Sequence, residues 1–219
     1  MDISRFIEHT NLKPDLTADQ IDSLVSEAKM YGFVGVCVPP FWVKRAAREI
    51  GTLDIQLVTV IGFPFGYQRT ESKLVEIEKA IEDGANELDV VMNISAFKSG
   101  MPWTKIELAK CAKLAHDNDA LLKVIIETAY LNDEEIIQAC KLVSDAGADF
   151  VKTSTGFASA GAQVEHIKLM RTNSPSNVGV KASGGIRDYK TAKAMVDAGA
   201  DRLGVSAGVS IMQEAQSKG

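Results

Sequence analysis

Eight short apolar runs, separated by segments of helical period, constrain the fold of this 219-residue chain more than any other feature. They occupy residues 6–10, 34–38, 57–61, 87–92, 121–127, 149–153, 178–182 and 202–206. Most are Val/Ile/Leu stretches without polar alternation, as in strands buried on both faces. Between them, apolar residues recur at i, i+3, i+4, i+7, as in Ile21, Leu24, Val25 and Ala28, and again in Leu108, Cys111, Ala112 and Ala115. Ala192, Met195 and Val196 begin the same pattern, which Gly199 closes. Each set makes one apolar stripe that must pack against something. Thr17 with Gln20 and Asn132 with Glu135 have the spacing of capping boxes. Gly32, Gly84, Gly147 and Gly199 stand where helices should end.

A local joint recurs three times, as Asp83-Gly84-Ala85-Asn86, Ala146-Gly147-Ala148-Asp149 and Ala198-Gly199-Ala200-Asp201. It closes a helix and opens a strand, as expected of tandem βα units. Alternating strands and helices imply a parallel sheet with helical crossovers. Eight units favour one domain over residues 1–219, a single parallel (β/α)8 TIM barrel; an open doubly wound sheet is the alternative.

The bulk properties narrow the function. The net charge is -5 with both signs dispersed, so there is no basic face for nucleic acid. The longest apolar runs are too short to span a bilayer. Met1-Asp2-Ile3-Ser4-Arg5 has neither the basic nor the apolar region of a secretory leader. Cys37, Cys111 and Cys140 are dispersed and odd in number, which fits a reducing compartment. A cytoplasmic location is therefore expected. No histidine or cysteine spacing matches a metal site.

In parallel barrels the active site lies at the carboxyl ends of the strands. Three lysines, Lys123, Lys152 and Lys181, fall there within apolar surroundings. Lys152 and Lys181 hold corresponding places on consecutive strands, which run ~4.8 Å apart. Burial and like charge both disfavour an ammonium, so this spacing predicts that both amines are pushed toward neutrality. A neutral amine is a carbonyl nucleophile. The competing reading is a pair of structural lysines matched by carboxylates such as Asp89 or Glu127. Asp89, alone in Glu87-Leu88-Asp89-Val90-Val91, suits either a proton carrier or a lysine partner.

Thr155-Gly156, Ser183-Gly184-Gly185, and Gly204 with Ser206 follow strands six, seven and eight. Small residues there let backbone N–H groups approach an anion, and barrel phosphate sites commonly use these last loops. Other polar residues take plainer readings. His9 is expected to be hydrogen-bonded structure, His116 and His166 surface, Cys111 and Cys140 core, Arg171 and Arg187 solvated rather than catalytic, and the Lys/Glu run Glu71–Glu82 an exposed helix face. Cys37 ends strand two, and whether it faces the site is left open.

The segment Asp149-Phe150-Val151-Lys152-Thr153-Ser154-Thr155-Gly156-Phe157 resembles the Schiff-base motif of the deoxyribose-phosphate aldolase family. Val180-Lys181-Ala182-Ser183-Gly184-Gly185-Ile186-Arg187 resembles that family's second-lysine motif. Further matches are His9-Thr10-Asn11-Leu12, Val36-Cys37-Val38-Pro39, Val60-Ile61-Gly62-Phe63-Pro64, Glu87–Asn93 with Asn93 at the strand end, Leu122-Lys123-Val124-Ile125-Ile126-Glu127 and Arg202-Leu203-Gly204-Val205-Ser206. The resemblance runs in order along nearly the whole chain. It implies reversible cleavage of 2-deoxy-D-ribose 5-phosphate to acetaldehyde and D-glyceraldehyde 3-phosphate, serving deoxynucleoside catabolism. Neither a metal nor an organic cofactor is implied. It also implies Schiff-base formation at Lys152, tuning of that amine by Lys181, proton transfer at Asp89 and support from Lys123. Phosphate contacts fall to Thr155, Gly156, Gly184, Gly185, Gly204 and Ser206. The partners expected are the small phosphorylated sugar and acetaldehyde, with homo-oligomers, dimer or tetramer, left open. The family often ends in an aromatic tail; Gln213–Gly219 has none, which leaves any tail contribution in question. Two rivals stand beside this reading: a Schiff-base barrel for another phosphorylated aldol, and a phosphate-binding scaffold without catalysis.

Overall fold

The computed structural model describes residues 2–217, so Met1, Lys218 and Gly219 of the terminal readings lie outside the described residues. Strand and helix alternate from β1 (Ile7–Thr10) and α1 (Ala18–Tyr31) through β2 (Gly35–Val38), α2 (Val43–Ile50), β3 (Gln56–Ile61), α3 (Thr70–Glu82) and β4 (Glu87–Val91). Two helices follow, α4 (Ile94–Lys98) and α5 (Trp103–His116), then β5 (Leu121–Ile125), α6 (Asp133–Asp145), β6 (Phe150–Lys152) and α7 (Val164–Thr172). The chain continues through β7 (Gly179–Ser183), α8 (Tyr189–Asp197), β8 (Arg202–Val205) and α9 (Gly208–Ser217). All neighbouring strands are parallel, and β8 pairs with β1, so the sheet is a closed barrel. The open-sheet alternative is thereby excluded.

Alternation along each strand divides two environments. Leu122, Val124 and Ile126 face outward into the main core, where they meet helix residues such as Leu108, Cys111, Ile136 and Ala139. Fully burying one such aliphatic side chain contributes roughly 1.5–3 kcal/mol. Inward positions form a separate region; Cys37, Val58 and Val60 pack there with Leu12 and Phe63.

The helix signals hold in detail. Asn132 and Glu135 make a full capping box, each side chain accepting the other's backbone N–H at 2.9 Å. At α1 the Gln20 side chain accepts the Thr17 N–H at 2.9 Å. Gly32 caps α1 with φ +67°, a conformation glycine adopts without strain.

Strand ends differ from expectation by one or two residues. Residues Ile3–Phe6 form a 3-10 turn, fixed by Asp2 accepting the Ser4 N–H, so β1 starts at Ile7. Val178 turns back to donate to the Pro175 carbonyl, which delays β7 to Gly179. The run expected to continue to Glu127 stops at Ile125, because Glu127 takes a left-handed conformation at φ +51°.

Candidate active site

The upper barrel interior is ionic. Glu8 of β1, Glu87 and Asp89 of β4, Lys123 of β5, Lys152 of β6 and Lys181 of β7 are all buried. Parallel register places them side by side: Asp89 pairs with Lys123, and Lys152 with Lys181. Asp89 is the hub. Its Oδ2 accepts from Lys152 Nζ and from Lys181 Nζ, both at 2.7 Å, and its Oδ1 accepts from Lys123 Nζ at 3.2 Å. Lys181 also pairs with Glu8, and Lys123 with Glu87 at 2.5 Å. Arg202 closes the cluster from below, 3.4 Å from Glu8 and 3.3 Å from Glu87. Three carboxylic acids thus meet three lysines and an arginine.

Burial opposes charge on every member, and opposite neighbours decide the outcome. For Asp89 burial would raise the pKa, but Lys123, Lys152 and Lys181 outweigh it and hold the carboxyl well below its ordinary range. Glu8 is lowered in the same way by Lys123 and Lys181. Lys181 corrects the expectation of a depressed amine. Burial alone would lower it, yet Asp89 and Glu8 overcome that and the net shift is upward. Lys181 therefore stays an ammonium. Lys123 is likewise pushed up against burial by Asp89, Glu8 and Glu87. The carboxylate-matched reading is the one these contacts support, since Lys152 and Lys181 both donate to Asp89.

Above the cluster opens a cavity of about 280 Å³. Of the residues singled out from sequence, Lys152, Thr155, Gly156, Gly184, Gly185, Gly204 and Ser206 line it. Asp89, Lys123 and Lys181 do not line it; they are buried behind Lys152, joined to it through Asp89. The glycines fit the close approach required: a Cβ on Gly161 would sit 2.2 Å from the Gly184 carbonyl oxygen. The Ala162 N–H donates to the carbonyls of Ser183 and Gly184, clasping the β6 and β7 loops together. Ser183 in turn donates its hydroxyl to the Ser154 carbonyl at 2.6 Å.

Several site residues escaped the sequence reading. Glu8 and Glu87 carried the same signal as Asp89, a carboxylate inside a strand. Lys13 and Arg187 also line the cavity, Arg187 being exposed as expected. Phe157 meets Phe63 edge-on at 5.3 Å, joining the loops after β6 and β3. Cys37 faces the barrel interior beside Val58 and Val60, and burial, with Asp89 nearby, pushes its thiol up to about 11. Glu127 pairs with no lysine among the described residues; its Oε2 accepts from Thr155. Asn93, at the end of β4, caps α4 instead of entering the site. His9 is bonded to Glu27 at 2.6 Å, as structure. Cys111 and Cys140 are core, His116 is exposed beside Asp149, and His166 is half-buried. Arg171 ties down the carbonyls of Ser174, Pro175 and Val178 and is not simply solvated.

A closed parallel barrel with an ionic interior and a glycine-walled cavity at its carboxyl face defines an enzyme of the TIM-barrel class. Comparison with known proteins narrows the class. The chain belongs to the DeoC/LacD family of aldolases, whose model matches residues 6–214. It is 51% identical to a deoxyribose-phosphate aldolase of Brevibacillus brevis, covering 100% of this chain and 99% of the relative. Among solved structures, an aldolase designated QR15 superposes with a TM-score of 0.94 at 42% identity, covering 100% of this chain and 97% of the other. The deoxyribose phosphate aldolase of Aeropyrum pernix, described as tetrameric, superposes at 0.92 with 35% identity, covering 99% and 92%.

Among the described residues, no three His, Cys, Asp or Glu side chains are placed to hold a metal ion. Nor is any helix among them long and apolar enough to cross a membrane.

Proposed function

We propose that this chain cleaves 2-deoxy-D-ribose 5-phosphate reversibly to acetaldehyde and D-glyceraldehyde 3-phosphate through a Schiff base on Lys152, as a cytoplasmic catabolic enzyme. The observation that carries the reading is the junction at Asp89, whose one oxygen receives both Lys152 and Lys181 behind a cavity with small, anion-compatible walls. Full-length relatives with the corresponding name support the substrate.

Lys152 is the nucleophile because it alone of the three lysines lines the cavity. Its Nζ adds to the aldehyde carbon of the open-chain sugar, and loss of water gives the imine. Removal of a proton from the C3 hydroxyl breaks the C2–C3 bond, releasing glyceraldehyde 3-phosphate and leaving an enamine on Lys152. Protonation at C2 and hydrolysis release acetaldehyde. Asp89 is held as a carboxylate and Lys181 as an ammonium, so Asp89 would take the proton and Lys181 would give one and act as the electrostatic partner. Lys123 holds Asp89 from below. Backbone at Thr155, Gly156, Gly184, Gly185 and Gly204, the Ser206 side chain, and the rim cations Lys13 and Arg187 would bind the phosphate. The chemistry calls for no metal or organic cofactor. The tetrameric relative makes a homo-oligomer the assembly to look for.

A coupled assay should detect glyceraldehyde 3-phosphate released from deoxyribose 5-phosphate without added metal. Acetaldehyde with borohydride should leave a secondary amine on Lys152, located by peptide mass mapping. An adduct on Lys181 or Lys123, or activity lost to EDTA and restored by zinc, would overturn the assignment.

A further inference from the structure

Glu127, at the barrel's carboxyl face, is an ionisable residue that this mechanism leaves unused. It is buried, its backbone is left-handed at φ +51° and ψ +73°, and it is not glycine. Such a conformation costs of order 1–3 kcal/mol and persists only where surrounding structure demands it. The demand is visible. The N–H groups on either side keep their bonds to the neighbouring strand, Ile126 to the Lys152 carbonyl at 3.0 Å and Thr128 to the Thr153 carbonyl at 2.9 Å. Backbone bonding to the β6 segment therefore continues past Glu127, beyond the ends of β5 and β6 themselves.

That turn aims the carboxylate at the loop leaving β6. Oε2 accepts the Thr155 backbone N–H at 3.0 Å and the Thr155 hydroxyl at 2.5 Å. With its proton given to Glu127, the Thr155 hydroxyl oxygen is free to accept the Phe157 N–H at 3.1 Å. One carboxylate thus orders three successive residues, Thr155, Gly156 and Phe157, all of which line the cavity. Glu127 is not among the lining residues itself, and its Oε1 is buried without a hydrogen bond. A buried acceptor left unpaired costs about 1–3 kcal/mol. Strain and an unpaired oxygen at one residue are together hard to explain by packing alone.

We propose that Glu127 is a positioning residue, which sets the Thr155–Phe157 wall against the phosphorylated half of the substrate while taking no part in the chemistry at Lys152. This inference rests on the aldolase reading and concerns its acceptor side alone. It predicts a division of effects between the two halves of the reaction. Exchange of the acetaldehyde methyl protons with D2O, followed by NMR, needs enamine formation on Lys152 but no acceptor. Addition to D-glyceraldehyde 3-phosphate needs the wall as well.

The test compares Glu127→Gly, whose backbone suits the left-handed seat, with Glu127→Gln, which keeps an acceptor oxygen of the same reach. In Glu127→Gly the KM for glyceraldehyde 3-phosphate should rise about tenfold or more, as for loss of ground-state positioning, while proton exchange stays within about twofold of the parent. Glu127→Gln should restore most of the acceptor affinity. Unphosphorylated glyceraldehyde should be affected much less than its phosphate ester. An unchanged KM in Glu127→Gly would overturn the proposal. So would exchange and addition falling in equal proportion, which would mark a purely structural residue. If the parent enzyme itself shows neither exchange nor addition, it is the aldolase reading that fails.

Discussion

Lys181 illustrates how a single side chain can be misjudged from its sequence neighbours. Two lysines on adjacent strands suggest mutual repulsion and lowered pKa values, but Asp89, helped by Glu8 173 positions away, reverses the sign for Lys181. No local pattern announces that contact; it exists because β1 closes on β8 and brings Glu8 inward. Replacing Lys181 with Leu should reduce turnover by about 10²–10⁴, the range for a positioned proton carrier. Borohydride should still label Lys152 in that variant. Labelling that disappears along with activity would make Lys181 the nucleophile. Cys37 offers a second test at this scale. Its thiol is pushed up to about 11, so any inactivation by an unsaturated aldehyde that depends on Cys37 should accelerate steadily from pH 7 to pH 10. A plateau near neutrality would contradict that placement.

At the level of strands and helices, most of the architecture could be read directly. Continuous apolar runs gave the strands, 3.6-residue stripes the helices, and the Asn132–Glu135 box the start of α6. The positions that escaped were those where long-range pairing overrules the pattern. Glu127 sits in an apolar run yet leaves strand geometry, and Asn93 turns from the barrel to cap α4. Lys73 looked like part of an exposed charged face, but it is buried. It donates to the Val91 carbonyl at 2.9 Å and pairs with Glu107 at 2.5 Å. That pair fastens α3 to α5 and to the end of β4, two residues beyond Asp89. Lys73→Met should cost about 3–5 kcal/mol in denaturant unfolding, because Glu107 is left as an unmatched buried charge. Adding Glu107→Leu should recover much of the loss. Purely additive costs would show that the two side chains act independently.

For the molecule as a whole, the ionic interior sets the pH range of stability. Asp89 and Glu8 have folded pKa values below the unfolded values of ~3.9 and ~4.3. Their stabilisation is present above those unfolded values and is lost as the pH falls through the folded ones. Lys123 and Lys181 are raised, so theirs is complete below ~10.4 and is lost only as the pH rises through the folded values. Scanning calorimetry should therefore give a broad plateau in Tm from about pH 5 to pH 10, and Asp89→Asn should flatten the acid limb. A steep fall in the parent already at pH 5–6 would count against this account. The junction at Asp89 also bears on partly made molecules. Its carboxylate comes from the first half of the chain, and the two amines on Oδ2 come from the second. A fragment ending at Gly147 would hold the acid without those amines, and the complementary piece the amines without the acid. Neither could perform the proposed reaction alone. Split there, the chain would act as its own assembly sensor, silent as separate pieces and active once the two halves close the ring.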